Sequence, residues 1–174
     1  MKMILNYCAC LLCALLMVGD AYGQAGSLDV SFNSTDIGFG YGDAINGGGV
    51  TCMLEQPDGK ILLGGDFFTK YSNLSRNRVV RLQSNGSVDL SFDPGTGAND
   101  AIYSMVLLSD GKILIAGNFS SYNGVSRNRI ARINSDGSLD TGFNPGSVFN
   151  GAVRTIALLS DGRILAGGFF SSYN

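Results

Sequence analysis

Apolar and polar positions in the middle of the chain alternate between strand-like runs and short turns. Ile102–Leu108 is a nearly continuous apolar run, partly β-branched, as in a buried strand. Ser109-Asp110-Gly111 interrupts it. Asp-Gly between two apolar runs predicts a hairpin, because glycine accepts positive φ without steric cost. Lys112–Phe119 then predicts a strand with Ile113, Ile115 and Gly117 on one face and Lys112, Leu114 and Ala116 on the other. The polar stretch Ser120–Ser126 contains Asn123-Gly124 and predicts a loop. Asn128–Asn134 alternates Arg129, Ala131 and Ile133 against Ile130 and Arg132, the pattern of a half-exposed strand. Asp136-Gly137 turns the chain, and Ser138–Phe143 predicts a fourth strand. Past the N-terminal segment no window keeps a helical period, and glycine recurs every few positions, which argues against helix throughout.

The same pattern is written three times. Asp58-Gly59-Lys60-Ile61-Leu62 returns as Asp110-Gly111-Lys112-Ile113-Leu114 and again as Asp161-Gly162-Arg163-Ile164-Leu165. Each copy continues into a small residue, glycine, a variable residue and phenylalanine: Gly64-Gly65-Asp66-Phe67, Ala116-Gly117-Asn118-Phe119 and Gly167-Gly168-Phe169-Phe170. Tyr71, Tyr122 and Tyr173 follow. Arg76-Asn77-Arg78-Val79 matches Arg127-Asn128-Arg129-Ile130, and Asn85-Gly86-Ser87-Val88-Asp89-Leu90-Ser91-Phe92 matches Asp136-Gly137-Ser138-Leu139-Asp140-Thr141-Gly142-Phe143. Asp93-Pro94-Gly95 then matches Asn144-Pro145-Gly146, and Gly26–Phe32 is a lone copy of the Gly-Ser-Leu-Asp piece. Residues 33–49 are longer than the equivalent 93–101 and glycine-rich, which predicts a surface loop insertion.

A period near 50 residues, with four short antiparallel strands per unit, predicts an all-β fold of β-propeller-type blades. A lone four-stranded sheet has two bare edges and cannot bury both faces, whereas stacked blades shield one another. The units fall at about 45–92, 99–143 and 150–174, the last partial, giving about two and a half blades and an incomplete ring, since propellers close with typically four to eight blades. On this count the chain is expected to be a piece of a longer product, with the remaining blades as its natural partner and Gly167–Phe170 on an open edge. Gly65, Gly117 and Gly168 fit either close approach of strands or a β-bulge. The recurrent Phe and Tyr residues are expected to pack between blades.

The pattern Gly-Ser-Leu-Asp-x-Ser-Phe, Pro-Gly, Asp-Gly-Lys-Ile-Leu-x-x-Gly-x-Phe, Tyr-Asn-Gly and Arg-Asn-Arg-Ile-Ala-Arg, over residues 26–174, resembles the delta-60 repeat family of bacterial proteins. More distantly, Asp-Gly-Lys-Ile-Leu and Asn-Arg-Ile are similar to NHL repeats. The resemblance implies a β-propeller-like fold and export from the cell. It brings no catalytic residues.

The N-terminus points the same way. Lys2, the apolar run from Ile4 to Val18, and Ala21-Tyr22-Gly23 make a secretory signal over residues 1–23, with cleavage between Gly23 and Gln24. The run is short for a membrane-spanning helix, so a secreted or cell-surface location without a membrane span is expected. Cys8, Cys10 and Cys13 leave with such a signal, and Cys52 remains as a buried thiol in the first strand, with no partner for a disulfide.

Charge and chemistry narrow the function. The formal net charge is −2, and only 15% of residues are charged, against about 25% in a typical domain. No basic patch suggests nucleic acid as a partner. The absence of histidine excludes a Ser-His-Asp triad and histidine metal ligation within the chain, and Glu55 is its one glutamate. Asp58, Asp110 and Asp161 suit the turns. Asp89, Asp93, Asn99 and Asp100 offer oxygens for calcium but lack the EF-hand spacing. No metal, cofactor or catalytic residue is expected. Arg76, Arg78, Arg127 and Arg129 are the candidate ligand-binding residues, able to hold an acidic glycan or a carboxylate bidentately, or else to pair with nearby Asp or keep an exposed face soluble. The leading reading is an extracellular, non-catalytic module for binding a protein or glycan, or for surface scaffolding. The alternative is part of a secreted propeller hydrolase or lyase with its active site in a loop or in further blades.

Overall fold

The computed structural model describes residues 48–71, 74–146 and 149–173; the signal segment, its cleavage point and the 33–47 part of the insertion lie outside them. The described residues form strands and turns with no helix. The first sheet has the order β1 (Val50–Glu55), β2 (Ile61–Tyr71), β3 (Leu74–Leu82). The second joins β4 (Ile102–Leu107), β5 (Ile113–Gly117) and β8 (Ile130–Ile133), with a small β6 (Ser121–Tyr122) and β7 (Val125–Ser126) hairpin between them. The third pairs β9 (Ala152–Leu158) with β10 (Ile164–Phe169). All pairings are antiparallel.

The sheets stack in chain order. The first strand of each unit lies against the first strand of the next, β1 on β4 and β4 on β9, as in blades that converge on an axis. Leu62 and Val79 of the first blade meet Ile113, Ile115, Ala131 and Ile133 of the second in one buried cluster, joined by Phe92, Phe119 and Tyr122. Leu114, Ala116 and Ile130 on the opposite face of the second blade meet Val153, Ile156, Ile164 and Ala166 of the third. The all-β, blade-type architecture is therefore present, as a partial propeller with no closed ring among the described residues.

The turns carry the repeat with little variation. In each first hairpin the glycine has positive φ (Gly59 77°, Gly111 80°, Gly162 84°), and its amide bonds back to the carbonyl of Gln56, Leu108 or Leu159 at 2.9–3.0 Å. The preceding aspartate accepts a bond from the amide two residues on: Lys60 to Asp58 (3.2 Å), Lys112 to Asp110 (3.1 Å) and Arg163 to Asp161 (3.1 Å). Asp and Gly are thus required by the turn itself. Gly65, Gly117 and Gly168 lie opposite a β-bulge in the first strand of each unit, at Thr51, Tyr103 and Arg154. Pairing slips by one residue where Val50 and Cys52 face Gly65 and Gly64, where Ile102 and Ser104 face Gly117 and Ala116, and where Val153 and Thr155 face Gly168 and Gly167. A Cβ on Gly117 would lie 2.0 Å from the Ala101 carbonyl oxygen, so the bulge also needs close backbone approach.

Three expectations are corrected. The fourth strand shrinks to a single bridge, Leu82 to Val88 and Ile133 to Leu139, so the sheets of the two complete blades have three strands. The cause is local: Asp89 Oδ1 accepts the Ser91 amide at 3.0 Å and Asp140 Oδ1 accepts the Gly142 amide at 2.9 Å, an Asx turn that bends the chain after one paired residue. β8 is buried on both faces rather than half-exposed, because the first and third blades cover it from either side. Cys52 is partly rather than fully buried; it packs on the edge of the first inter-blade cluster.

Candidate functional site

Each complete blade holds the same charged cluster. In the first, Arg81 Nε donates to Asp89 Oδ2 at 2.8 Å, and Lys60 Nζ lies 3.3 Å from the same oxygen. Arg81 also donates to the Ser135 carbonyl of the next blade (2.6 Å), and its guanidinium lies over the Phe92 ring at 4.9 Å. In the second, Arg132 Nε and Lys112 Nζ reach Asp140 Oδ2 at 2.7 and 2.9 Å, with Arg132 over Phe143 at 5.0 Å. Strand pairing sets this geometry: the lysine opens the middle strand, the arginine sits on the third, and the Asx turn swings the aspartate beneath both. Burial alone would raise Asp89, but the Ser91 hydroxyl and amide, then Arg81 and Lys60, outweigh it and hold the carboxyl at about 2. Lys112 and Arg132 hold Asp140 at about 2 as well. Both aspartates stay ionised at neutral pH, with their charge already spent on two cations, so they are poor general acids or bases.

The four candidate arginines are also engaged. Arg76 is buried and pairs with Asp93 Oδ1 at 3.1 Å. Arg78 and Arg129 adopt left-handed backbone (φ 68° and 67°), a region costly for a residue with a side chain. Their guanidinium groups donate to the carbonyls of Asp66 and Asn118, the variable position of each bulge. Arg127 is buried and donates to the Ser126 carbonyl at 2.7 Å. The four therefore do not converge on one open patch; two brace the bulge and one is neutralised by a carboxylate. The calcium candidates are likewise dispersed. Asp89 faces Arg81 and Asp93 faces Arg76, Asp100 accepts from Asn118 Nδ2 at 2.8 Å, and Asn99 Oδ1 accepts the Ser120 and Ser121 amides at 2.9 and 3.0 Å. Asn150 repeats that last clamp on Ser171 and Ser172 at 2.9 and 3.2 Å.

Of the recurrent aromatics, Phe92, Phe119 and Tyr122 pack between the first two blades, whereas Tyr173 is mostly exposed. Phe92, Phe119 and Tyr122 are fully buried, and Tyr122 donates to the Gly137 carbonyl at 2.7 Å. Burial, with Asp93 and Asp136 nearby, raises that phenol far above its ordinary range.

The third blade differs. Its outward face leaves Leu165 56% and Phe169 76% exposed, whereas the equivalent Leu62 and Leu114 are buried. Beside it lies a cavity of about 470 Å³ lined by Ile130, Phe143, Phe149, Ile164, Phe170 and Tyr173, among others. This apolar end is the largest feature that sequence reasoning reduced to an open edge.

Comparison with known proteins adds the repeat class. No curated protein and no solved structure matches the chain. Residues 56–92 and 108–143 match the family model described as a domain of unknown function (DUF5122) beta-propeller. Each match runs from the end of a blade's first strand, through its second and third strands and its charged cluster, to the phenylalanine under the arginine. The two complete blades are therefore units of a β-propeller-type repeat.

Proposed function

We propose that this chain is a non-catalytic, exported repeat module that binds another macromolecule or forms part of a surface scaffold, and that the repeats are of the delta-60 type. The observation that carries this reading is the internal use of the recurrent charges: Lys60 and Arg81 with Asp58 and Asp89, and likewise Lys112 and Arg132 with Asp110 and Asp140, balance one another within their blades. The signal-like segment at residues 1–23 supports export. The test is incubation of the chain with glycan and peptide libraries, read for both binding and products. Saturable binding without turnover is the expected result; product formation that survives chromatography to constant specific activity would favour a hydrolase or lyase instead.

A further inference from the structure

The turns of this repeat shield a reactive kind of peptide step, and one hairpin tip is built without that shield. In an Asn-Gly step the glycine amide can close a succinimide ring on the asparagine side chain, because no side chain on the glycine hinders the approach. Asn-Gly, and its slower analogue Asp-Gly, recur at Asp58, Asn85, Asp110, Asp136 and Asp161. In each of these turns the glycine amide is tied to a carbonyl: Gly59 to Gln56, Gly86 to Gln83, Gly111 to Leu108, Gly137 to Asn134 and Gly162 to Leu159, at 2.9–3.0 Å. Such an amide must first break its bond before it can attack. Asn150-Gly151 is held through its side chain instead. Asn150 Oδ1 accepts the Ser171 and Ser172 amides and its Nδ2 donates to Ser171 Oγ at 2.9 Å, while a Cβ on Gly151 would lie 1.9 Å from the Phe169 carbonyl oxygen. Asn123-Gly124 differs from all of these. Pairing of Tyr122 with Val125 leaves the two residues as the loop of the β6–β7 hairpin, with φ of 47° and 76°, and both are exposed. The Asn123 amide donates to the Gly97 carbonyl at 2.8 Å, but among the described residues the Gly124 amide has no such acceptor, and the space around Gly124 is open. The side-chain carbonyl is also polarised. The Thr96 amide and hydroxyl donate to Asn123 Oδ1 at 3.2 and 3.3 Å, the oxygen on which negative charge develops during attack. The hairpin is a two-stranded ribbon of two residue pairs, so its tip opens readily.

We propose that Asn123-Gly124 is a site of spontaneous deamidation in the folded chain, reacting ahead of Asn85-Gly86 and Asn150-Gly151. The Gly124 amide gives its proton to hydroxide, and its nitrogen forms a bond to Asn123 Cγ. The Cγ–Nδ2 bond breaks, and ammonia leaves with a proton taken from solvent, closing the succinimide. Water then adds to one of the two ring carbonyls. One opening yields aspartate at position 123; the other yields an isoaspartyl link, in which the main chain runs through Cβ and Cγ. The first places a negative charge beside Thr96. The second lengthens a two-residue loop and disturbs the pairing of Tyr122 with Val125. The first blade has Ser72-Asn73 at the equivalent place, so this chemistry distinguishes the second blade from the first.

This inference is independent of the reading of the chain as a binding module. The full chain is incubated at mildly alkaline pH in heavy-oxygen water, then digested and mapped by mass spectrometry. Incorporated heavy oxygen marks conversion during the incubation and excludes any that preceded it. Asn123 is expected to convert at least about fivefold faster than Asn85 or Asn150, the factor supplied by about 1 kcal/mol for a hydrogen bond that must open first. In the same chain unfolded by urea, all three convert at similar rates, because only the fold distinguishes them. Asn123→Gln, whose longer side chain closes a ring poorly, removes the conversion at this position and leaves the circular dichroism of the chain unchanged. Conversion of Asn85 or Asn150 as fast as Asn123 in the folded chain would overturn the proposal. So would an Asn123 that reacts only in urea, or a rate order that urea leaves unchanged.

Discussion

Asp89→Asn tests the charged cluster directly, because the second blade provides its own control. The Asp89 side chain is 2% exposed and Asp140 is 11% exposed, with Arg81 likewise deeper than Arg132. Lowering the Asp89 carboxyl from 3.8 to about 2 corresponds to roughly 2 kcal/mol. The groove lined by Lys60 and Arg81 brings water to one side and trims that figure, whereas the mutation also leaves Arg81 buried without its counter-ion, a loss of roughly 3 kcal/mol or more when no water relieves it. About 2–3 kcal/mol at pH 7 is the balance. The folded carboxyl lies below its unfolded value, so the contribution is complete above about pH 5 and fades as pH falls through 3.8 toward about 2. Urea denaturation followed by circular dichroism at pH 7, 4 and 2.5 reads this out: the gap between wild type and Asp89→Asn narrows on acidification, and at pH 7 exceeds that of Asp140→Asn. Equal costs for the two variants, or a gap that stays constant down to pH 2.5, would refute the reasoning.

Three further outcomes follow from local geometry. Tyr122→Phe loses the bond to the Gly137 carbonyl and lowers stability by about 1 kcal/mol in the same denaturation assay. In alkaline titration followed near 295 nm, the Tyr122 phenol of the wild type ionises only as the fold opens, because burial first of all raises its pKa. Gly111→Ala places a methyl in open space at φ +80° and costs about 1 kcal/mol, whereas Gly117→Ala puts one 2.0 Å from the Ala101 carbonyl oxygen and costs several times more.

Sequence pattern reached furthest where structure is local. The Asp-Gly turns are dictated by two residues and recur with the same bonds at Gly59, Gly111 and Gly162. The two faces of β5 also follow from alternation, Ile113 and Ile115 entering one cluster and Leu114 the other. The fourth strand failed because alternation at Ser138–Phe143 ignores the side chain of Asp140, which captures the Gly142 amide before pairing can continue. The burial of β8 was hidden because a neighbouring blade on each side, not the strand itself, decides its exposure. The charged clusters join residues far apart, Lys60 to Asp89 and Arg81 to Ser135. Their trace was nonetheless present as Lys60 and Lys112, Arg81 and Arg132, and Asp89 and Asp140, each pair at matching places in the repeat.

The places where the copies disagree are as informative as those where they match. Arg76 and Arg127 occupy equivalent positions and both are buried. Arg76 has the Asp93 carboxylate at 3.1 Å, but the residue equivalent to Asp93 is Asn144, and Arg127 donates instead to the Ser126 carbonyl. The turn around that position is otherwise unchanged, since Asp93 Oδ1 accepts the Gly95 amide at 3.0 Å and Asn144 Oδ1 the Gly146 amide at 3.2 Å. Asn144→Asp therefore keeps the turn and supplies the missing carboxylate, stabilising the chain by about 1 kcal/mol at low salt. The gain sits near the top of the range for a pair with one exposed partner, because the arginine is buried even though the Asp93 side chain is 70% exposed. The reverse swap, Asp93→Asn, loses a similar amount. Both effects shrink in 1 M salt, which screens the exposed carboxylate. If Asn144→Asp destabilises the chain or responds to salt in the opposite sense, the two arginines are not electrostatic equivalents, and the blades are less alike than their turns.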